Sequence, residues 1–414
     1  MRDRIKEIFF PLFALFVLFN GEMFTAFFVI TGMAVDTGMR AREAILIAGV
    51  AYLMLAVDIL KGRLSQRNMI QLAVLGLILA LYMLTGILHR PGFEHIYHRT
   101  YMMLYGALCI PAAYVGMRLA RGGYEKKVLQ FLPYFLLVIT LTIGRLVIFK
   151  ASEGTIMGRT EGDVTSYQGA SYAMSFSCAY CLFWLFFANQ KNGVMGKIMY
   201  CIVLIMAFVC GIGCIVGGGR GAFLHLVFAT GYIIYRVLSR SGRGRKFGNY
   251  LLLVIGAMVM VYLSIHFNIF ESAGAIRVAG NLTVDYAREA LRDRALSSFL
   301  HSPFWGHGIG SIWWELGFYS HNVLLDFLVE AGLMGAIILI ATVFTMIRRL
   351  IRGAKTGSFD LFVLLTMFAM LVEHTFSGYW LAASNMFLVF GYVYGKSKMS
   401  NCRPEPPYMG YYCM

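Results

Sequence analysis

Arginine, histidine and glycine occur together between residues 284 and 335, in a chain that elsewhere consists mostly of apolar segments. Arg288 and Arg292 lie one helical turn apart, and His321 and Asn322 stand where a new apolar segment begins. The planar guanidinium of arginine matches pairs of phosphate oxygens. A neutral imidazole can take a proton from a hydroxyl group near pH 7. These residue types could therefore hold an anion and activate a hydroxyl nucleophile.

A further cation, Arg220, follows the glycine run 217–219 between two apolar segments. The run resembles a phosphate-binding loop only superficially, because the Lys-Ser/Thr ending is missing. Exposed backbone N–H groups and an arginine at a helix N-terminus still attract anions. We therefore predict anion binding at Arg220, Arg288 and Arg292. The alternatives are a tight turn whose arginine reaches lipid headgroups and, in the later stretch, neutralisation of the arginines by neighbouring acidic residues.

Tyr167 and Gln168 open an apolar segment with a hydroxyl and an amide group. Polar groups at the mouth of a membrane span usually face a wet cavity or another helix. Because sugars are held by such groups, Tyr167 and Gln168 are candidates for binding a glycan or acceptor. Ordinary hydrogen bonding between helices is an equally good explanation.

Two other groups of residues could suggest a metal site. His89, His95 and His98 lie in one connecting segment, but their spacing matches no standard zinc pattern. Cys178 and Cys181 form a C-x-x-C inside an apolar segment, without a second pair. We predict that the protein uses no metal and no other cofactor.

The chain has 414 residues, of which 59% are hydrophobic and 14% charged. Soluble domains carry roughly a quarter charged residues, so we predict an all-α polytopic membrane protein. A helix of about 20 residues crosses the bilayer, and the sequence offers about twelve such segments. The predicted spans are 8–32, 43–60, 68–88, 101–119, 128–149, 167–188, 198–216, 221–238, 249–268, 321–347, 359–376 and 379–395.

Charge distribution predicts the orientation of these spans. With a cytoplasmic N-terminus, the inner connectors and termini hold 24 of the 36 lysines and arginines, which agrees with the positive-inside rule. Both termini are then cytoplasmic, and the stretch with Arg288 lies outside. The net charge of +15 is therefore a topology signal, and we predict no nucleic-acid partner. The predicted units are 1–268 with nine spans, an outer loop 269–320, three spans in 321–395 and a tail 396–414.

Motifs of the later stretch occur in a distinctive order: R-x14-P, F-W-G-x-G-x-G, His-Asn, and L-x5-E-x-G-L-x-G. This order, with the long loop before the tenth span, resembles the superfamily of O-antigen ligases and O-antigen polymerases. Two positions differ from that pattern: Gly219 precedes Arg220 where the family often has serine, and Arg292 stands where it commonly has tryptophan. The matching positions are Arg288, Pro303, Gly306, Gly308, Gly310, His321, Asn322, Leu324, Glu330, Gly332, Leu333 and Gly335.

The resemblance implies a GT-C-like membrane glycosyltransferase, working without a metal on the outer face of the bacterial cytoplasmic membrane. Its donor would be a glycan on undecaprenyl diphosphate, and its acceptor a sugar hydroxyl on another lipid-linked glycan or a lipid anchor. Arg220, Arg288 and Arg292 would then hold the departing diphosphate, whose negative charge grows as the glycosidic bond breaks. Polymerase and ligase share these motifs, so the sequence does not separate them.

His321 is the predicted general base, with Asn322 orienting the acceptor. Ser320 is a good helix N-cap, and the positive end of the helix that follows should keep His321 neutral. Two alternatives are a hydrogen-bonding role for His321 and a carboxylate base such as Glu373. Glu22, inside the first span, is a further ionisable group that is either functional or paired with a neighbouring helix.

Two other function classes compete with a glycosyltransferase. A transporter or flippase of lipid-linked glycan would share the membrane plan and a cationic cavity. It would need alternating access, and matched broken helices in two halves would be its sign. A non-catalytic subunit of polysaccharide assembly would show no turnover.

Overall fold

The structure is a computed structural model that describes most of the chain. The described residues are 2–32, 37–88, 105–121, 123–155, 166–188, 193–240, 258, 262, 265–266, 269–279, 286–317, 319–355, 357–380 and 384–396.

Across these ranges the chain forms helices and turns and no strand, which confirms the prediction of an all-α membrane protein. Short π-helical turns precede α5, join α6 to α7 and follow α8. The helices are α1 (Arg2–Leu18), α2 (Asn20–Thr31), α3 (Thr37–Leu60), α4 (Gln66–Leu88), α5 (Ile110–Leu119), α6 (Glu125–Ile139), α7 (Arg145–Ser152), α8 (Tyr167–Phe183), α9 (Val194–Val216), α10 (Arg220–Arg240), α11 (Ala273–Ala279), α12 (Tyr286–His301), α13 (Ile312–Glu315), α14 (Val323–Ala354), α15 (Ser358–Phe376) and α16 (Ser384–Lys396).

Eight helical segments in the described part are long and apolar enough to cross a membrane, or nine if α1 and α2 form one broken span. The chain is therefore a multi-pass membrane protein. The predicted span 249–268 lies almost wholly outside the described residues, as do the beginning of 101–119 and residues 381–383 of the last span. The total of twelve spans stays a prediction.

The first predicted span, 8–32, contains two helices instead of one. Helices α1 and α2 meet at an angle of 89° beside Phe19. Hydropathy measures the apolar length of a segment and carries no information about its direction, so the bend was not visible in the sequence. Glu22 lies in the first turn of α2, directly after the bend.

Helix α8 is the centre of the bundle, with 83% of its membrane-spanning window buried. Small side chains allow α10 to pack closely against it, and the Ser175 hydroxyl donates to the Ala222 carbonyl at 2.8 Å. At its other end, Trp184 Nε1 donates to the Leu129 carbonyl of α6 at 3.0 Å. Buried polar groups are thus paired between helices, as an apolar surrounding requires.

Helix α14 is interrupted at Gly332, whose φ of 61° and ψ of −163° are non-helical. The interruption is filled by the loop that follows α12. His307 N and Gly308 N donate to the carbonyls of Val329 and Glu330 at 2.8 and 2.9 Å. On the other side of the break, the N–H groups of the next two residues donate to loop carbonyls. These bonds are Leu333 N to Pro303 O at 2.8 Å and Met334 N to Phe304 O at 3.3 Å.

The side chain of Glu330 is buried beside this break and joins α14 to the segment after α15. Tyr379 donates its hydroxyl to Oε1 at 2.6 Å, and Trp380 Nε1 donates to Oε2 at 3.0 Å. Both carboxyl oxygens therefore have partners, as a buried acid requires. The motif residues Glu330 and Gly332 are explained by this scaffold, which fixes the loop against α14.

The break generates a stability prediction for Gly332→Ala. Its backbone conformation is one that glycine alone adopts readily, and a methyl group would meet the Phe304 backbone. We expect a loss on the order of 1–3 kcal/mol from backbone strain, measured as a lower thermal midpoint in detergent. The control is Gly231→Ala in α10, where a methyl group meets open space and should be neutral or stabilising by about 0.5–1 kcal/mol. An unchanged midpoint for Gly332→Ala would contradict the scaffold.

Candidate anion-binding cavity

A cavity of about 290 Å³ opens where the ends of α8, α10, α12 and α15 meet beside α11. Five of the seven residues predicted from the sequence as site residues line it. The lining residues are Tyr167, Gln168, Tyr172, Gly218, Gly219, Arg220, Gly221, Leu224, Arg277, Arg288, Glu289, Arg292, Phe376 and Ser377.

Tyr167 and Gln168, at the start of α8, form a small network with Arg277. The Arg277 guanidinium lies 4.4 Å from the centre of the Tyr167 ring, and Nη2 donates to the Tyr167 hydroxyl oxygen at 2.7 Å. Gln168 Nε2 donates to the same oxygen at 3.1 Å. Because this oxygen already accepts two hydrogen bonds, its own O–H is left as a donor towards the cavity.

Arg277 is a cavity residue that the sequence analysis missed. It lies on α11, which packs on the end of α9 through Gly274. A Cβ at Gly274 would collide with the Val216 carbonyl, so the close approach depends on glycine. The only sequence signal is one basic residue in a short apolar helix. That signal does not show which surface the helix covers.

Arg220 is positioned by the packing of the glycine turn against α8. Gly219 N donates to the Ser171 hydroxyl at 3.1 Å, and this hydroxyl donates to the Tyr167 carbonyl at 2.7 Å. A Cβ on Gly221 would overlap the Tyr172 hydroxyl. Within the described ranges Arg220 makes no hydrogen bond or ion pair, and its Nε is buried. This donor is therefore available to an anion.

Helix α12 supplies the other cations. Arg288 Nη1 donates to the carbonyl of Phe376, at the end of α15, at 2.9 Å. Arg292 lies one turn further along, with its Nε buried and without a hydrogen-bond partner in the described part of the protein. Among the described residues, Glu289 is the single acidic side chain that lines the cavity. Four arginines and one glutamate give this described part of the lining three net positive charges.

His321 and Asn322 do not line the cavity. Asn322 is the N-cap of α14, its Oδ1 accepting from the N–H groups of Leu324 and Leu325 at 3.0 and 3.2 Å. The N-cap assigned to Ser320 from sequence is therefore wrong. Ser320 instead donates its hydroxyl to Asp326 Oδ1 at 2.7 Å. His321 precedes the cap with a φ of 58°, an uncommon conformation for a residue with a side chain.

Tyr319 connects His321 to the cavity wall. Its ring centre lies 4.5 Å from that of His321, and its hydroxyl donates to the Ser377 carbonyl at 3.3 Å. Burial raises the pKa of Tyr319 to about 12, with the Asp326 carboxyl adding to the rise and the Arg288 guanidinium opposing it. Tyr319 is thus a neutral phenol at pH 7, within electrostatic range of the cavity.

The remaining candidates do not line the cavity or lie outside the described residues. Glu373, in the last turns of α15, does not line it. The loop with His89, His95 and His98 is outside the described residues. Cys178 is buried among the core helices, as is the other cysteine of its C-x-x-C.

No protein-family model, curated protein or solved structure matches the chain.

The cavity generates a binding prediction that is independent of any reaction. Arg220→Gln and Arg292→Gln each remove a charged donor, and hydrogen bonds to charged groups contribute about 1.5–3 kcal/mol. We expect affinity for inorganic pyrophosphate to fall about 10- to 150-fold in each variant, measured by isothermal titration calorimetry. The control is Arg294→Gln, because Arg294 is exposed on the same helix as Arg292 and does not line the cavity. This variant should leave the affinity for pyrophosphate unchanged. An equal loss in all three variants would show only a general charge effect.

Proposed function

We propose that the protein is a membrane glycosyltransferase that takes a glycan from undecaprenyl diphosphate and joins it to a sugar hydroxyl. The observation that carries the proposal is the convergence of Arg220, Arg277, Arg288 and Arg292 around one cavity at the ends of membrane helices. A lipid-linked diphosphate lies at the headgroup level of the bilayer, and in this proposal these helix ends lie at the same level. The proposed place of reaction is the outer face of the bacterial cytoplasmic membrane.

The reaction transfers one glycan and one proton. The acceptor oxygen bonds to the anomeric carbon while the bond from that carbon to the diphosphate oxygen breaks. Both electrons of the broken bond leave on the lipid diphosphate, so negative charge grows at the phosphate oxygens. Fixed guanidinium groups stabilise that charge in the transition state. In this proposal the arginines provide the positive charge that a divalent cation provides in other lipid-linked transferases.

His321 accepts the proton that the acceptor hydroxyl loses. Its contact with Tyr319, which reaches Ser377 in the cavity wall, puts the proposed base beside the anion site, outside its lining. That arrangement suits a reaction in which the acceptor attacks the anomeric carbon from one side and the diphosphate departs from the other. The acceptor hydroxyl belongs to a second lipid-linked glycan in a polymerase or to a lipid anchor in a ligase.

A transporter or flippase of the same lipid-linked glycan is the second candidate. The 89° bend between α1 and α2 favours it, because transporters often bind their substrates at broken helices. The break in α14 is of another kind, since the loop after α12 fills it with backbone hydrogen bonds. A transporter would move the substrate across the vesicle membrane without changing it chemically.

The function is tested by incubating the purified protein with one lipid-linked oligosaccharide and no other acceptor, and then with added lipid-anchor acceptors. We expect a longer or transferred glycan, and turnover that survives a chelator. Arg288→Lys should lower turnover by about 10²-fold or more, because lysine lacks the bidentate fork. Arg294→Lys is the matched control on the same helix. Intact substrate in every assay, together with movement across vesicles, would support the transporter instead.

The role of His321 is tested with His321→Ala and His321→Gln. A general base contributes typically 10²–10⁴-fold, so both variants should lose turnover by about that factor. Binding of the lipid-linked donor, measured separately, should stay within a few-fold of the unmodified protein. If glutamine restores turnover, the residue acts through a hydrogen bond and another group takes the proton.

A further inference from the structure

A patch of exposed apolar side chains covers the C-terminal end of α12 and the beginning of the next loop. Leu296 and Leu300 are exposed on α12, and Phe304 and Trp305 are exposed in the loop, Trp305 to 76%. This part of the chain was predicted as an extramembrane loop. Contiguous exposed apolar side chains of this size usually mark an interaction surface.

The patch is continuous with the lipid-facing side of α14. The Met334 N–H donates to the Phe304 carbonyl at 3.3 Å, and a Cβ on Gly332 would touch the Phe304 backbone. Directly beyond, Leu333, Met334 and Ile337 of α14 are exposed. In a membrane-spanning helix such side chains face the acyl chains.

The register of α14 gives the depth of the patch. Arg348 and Arg349 are the first charged residues after a long apolar run, and mark the end of α14 away from the cavity. Counting back about 20 residues from Ile347 places the opposite edge of the hydrocarbon near Leu328. Phe304 is bonded to Met334, so it lies within that edge, at the depth where tryptophan is enriched in membrane proteins.

The exposed residues of α12 change from acidic at its beginning to apolar at its end, as expected if only its end enters the lipid. Glu289, Asp293, Leu296 and Leu300 follow one exposed stripe at helical spacing, acidic first and apolar last. Arg294, about a third of a turn around the helix from this stripe, is also exposed. Only the last turns of α12 can therefore enter lipid, with the acidic turns above the surface.

We propose that Leu296, Leu300, Phe304 and Trp305 are embedded in the leaflet on the cavity side, and that this contact seats α12 at the membrane surface. The partner is the acyl-chain boundary of the bilayer. Arg292 and Leu300 are eight residues apart, or about 12 Å along the helix. The contact of the patch with lipid therefore holds the cavity arginines at headgroup level. The proposal does not rest on the glycosyltransferase reaction, since it concerns depth alone.

The test is the depth of spin labels in the full-length protein, reconstituted in phosphatidylethanolamine–phosphatidylglycerol vesicles. Labels are attached at Leu300→Cys and Trp305→Cys, after Cys201 and the tail cysteines, Cys402 and Cys413, have been replaced by alanine. Collision with oxygen, which dissolves in lipid, is compared with collision with a water-soluble nickel chelate. We expect the oxygen-to-nickel ratio at both positions to exceed that at Arg294→Cys several-fold and to approach that at Ile338→Cys on α14.

A nickel-dominated signal at Leu300→Cys and Trp305→Cys would place the patch in water and overturn the proposal. Protection from both reagents would show a protein partner or a second copy on the patch, and would overturn it as well. A second measurement leaves the cysteines unchanged. Acyl chains carrying bromine should quench part of the tryptophan emission, and Trp305→Phe should remove most of that quenched part. Unchanged quenching in Trp305→Phe would also contradict contact of Trp305 with the acyl chains.

Discussion

The exchange of backbone hydrogen bonds at Gly332 is the constraint on which the cavity side of the protein depends. In an unbroken helix, Leu333 N and Met334 N would donate to the carbonyls of Val329 and Glu330. Here all four groups bond instead to the loop after α12. Unpaired backbone groups at membrane depth cost several kcal/mol each, so the break and the loop stabilise each other. Neither could keep its conformation alone.

The exchange of hydrogen bonds at Gly332 also helps to position α12, because α12 is joined to the same loop. The loop is tied back to α12 by His307, whose Nε2 donates to the Ser298 carbonyl at 2.8 Å, while the Ser298 hydroxyl donates to Glu315 at 3.2 Å. Arg288 and Arg292 lie on the helix that this loop ties to α14, and Arg288 also donates to the Phe376 carbonyl of α15. Arg220 is positioned independently, by the packing of α10 against α8. The cavity lies where these two parts of the protein meet, so its cations have separate supports.

The sequence predicted the side chains of the cavity better than it predicted the backbone that carries them. Arg220 and Arg288 lie together because each is near the start of its helix, and the starts of α10 and α12 border the same cavity. Arg277 was missed because its place depends on the contact of Gly274 with Val216, which local pattern does not encode. The N-cap of α14 was misassigned because serine and asparagine are both good caps, and only the fold shows that Asp326 engages Ser320.

The four arginines also repel one another across the cavity. Like charges one turn apart, such as Arg288 and Arg292, destabilise a helix by a few tenths of a kcal/mol, and partial burial strengthens the repulsion. The backbone hydrogen bonds around Gly332 and the packing of α10 against α8 hold the arginines in place against this repulsion. An anion that binds the folded cavity would turn the repulsion into attraction and stabilise the fold by mass action. In the proposed reaction, arginines that are already held in place would need little reorganisation as negative charge develops on the leaving diphosphate.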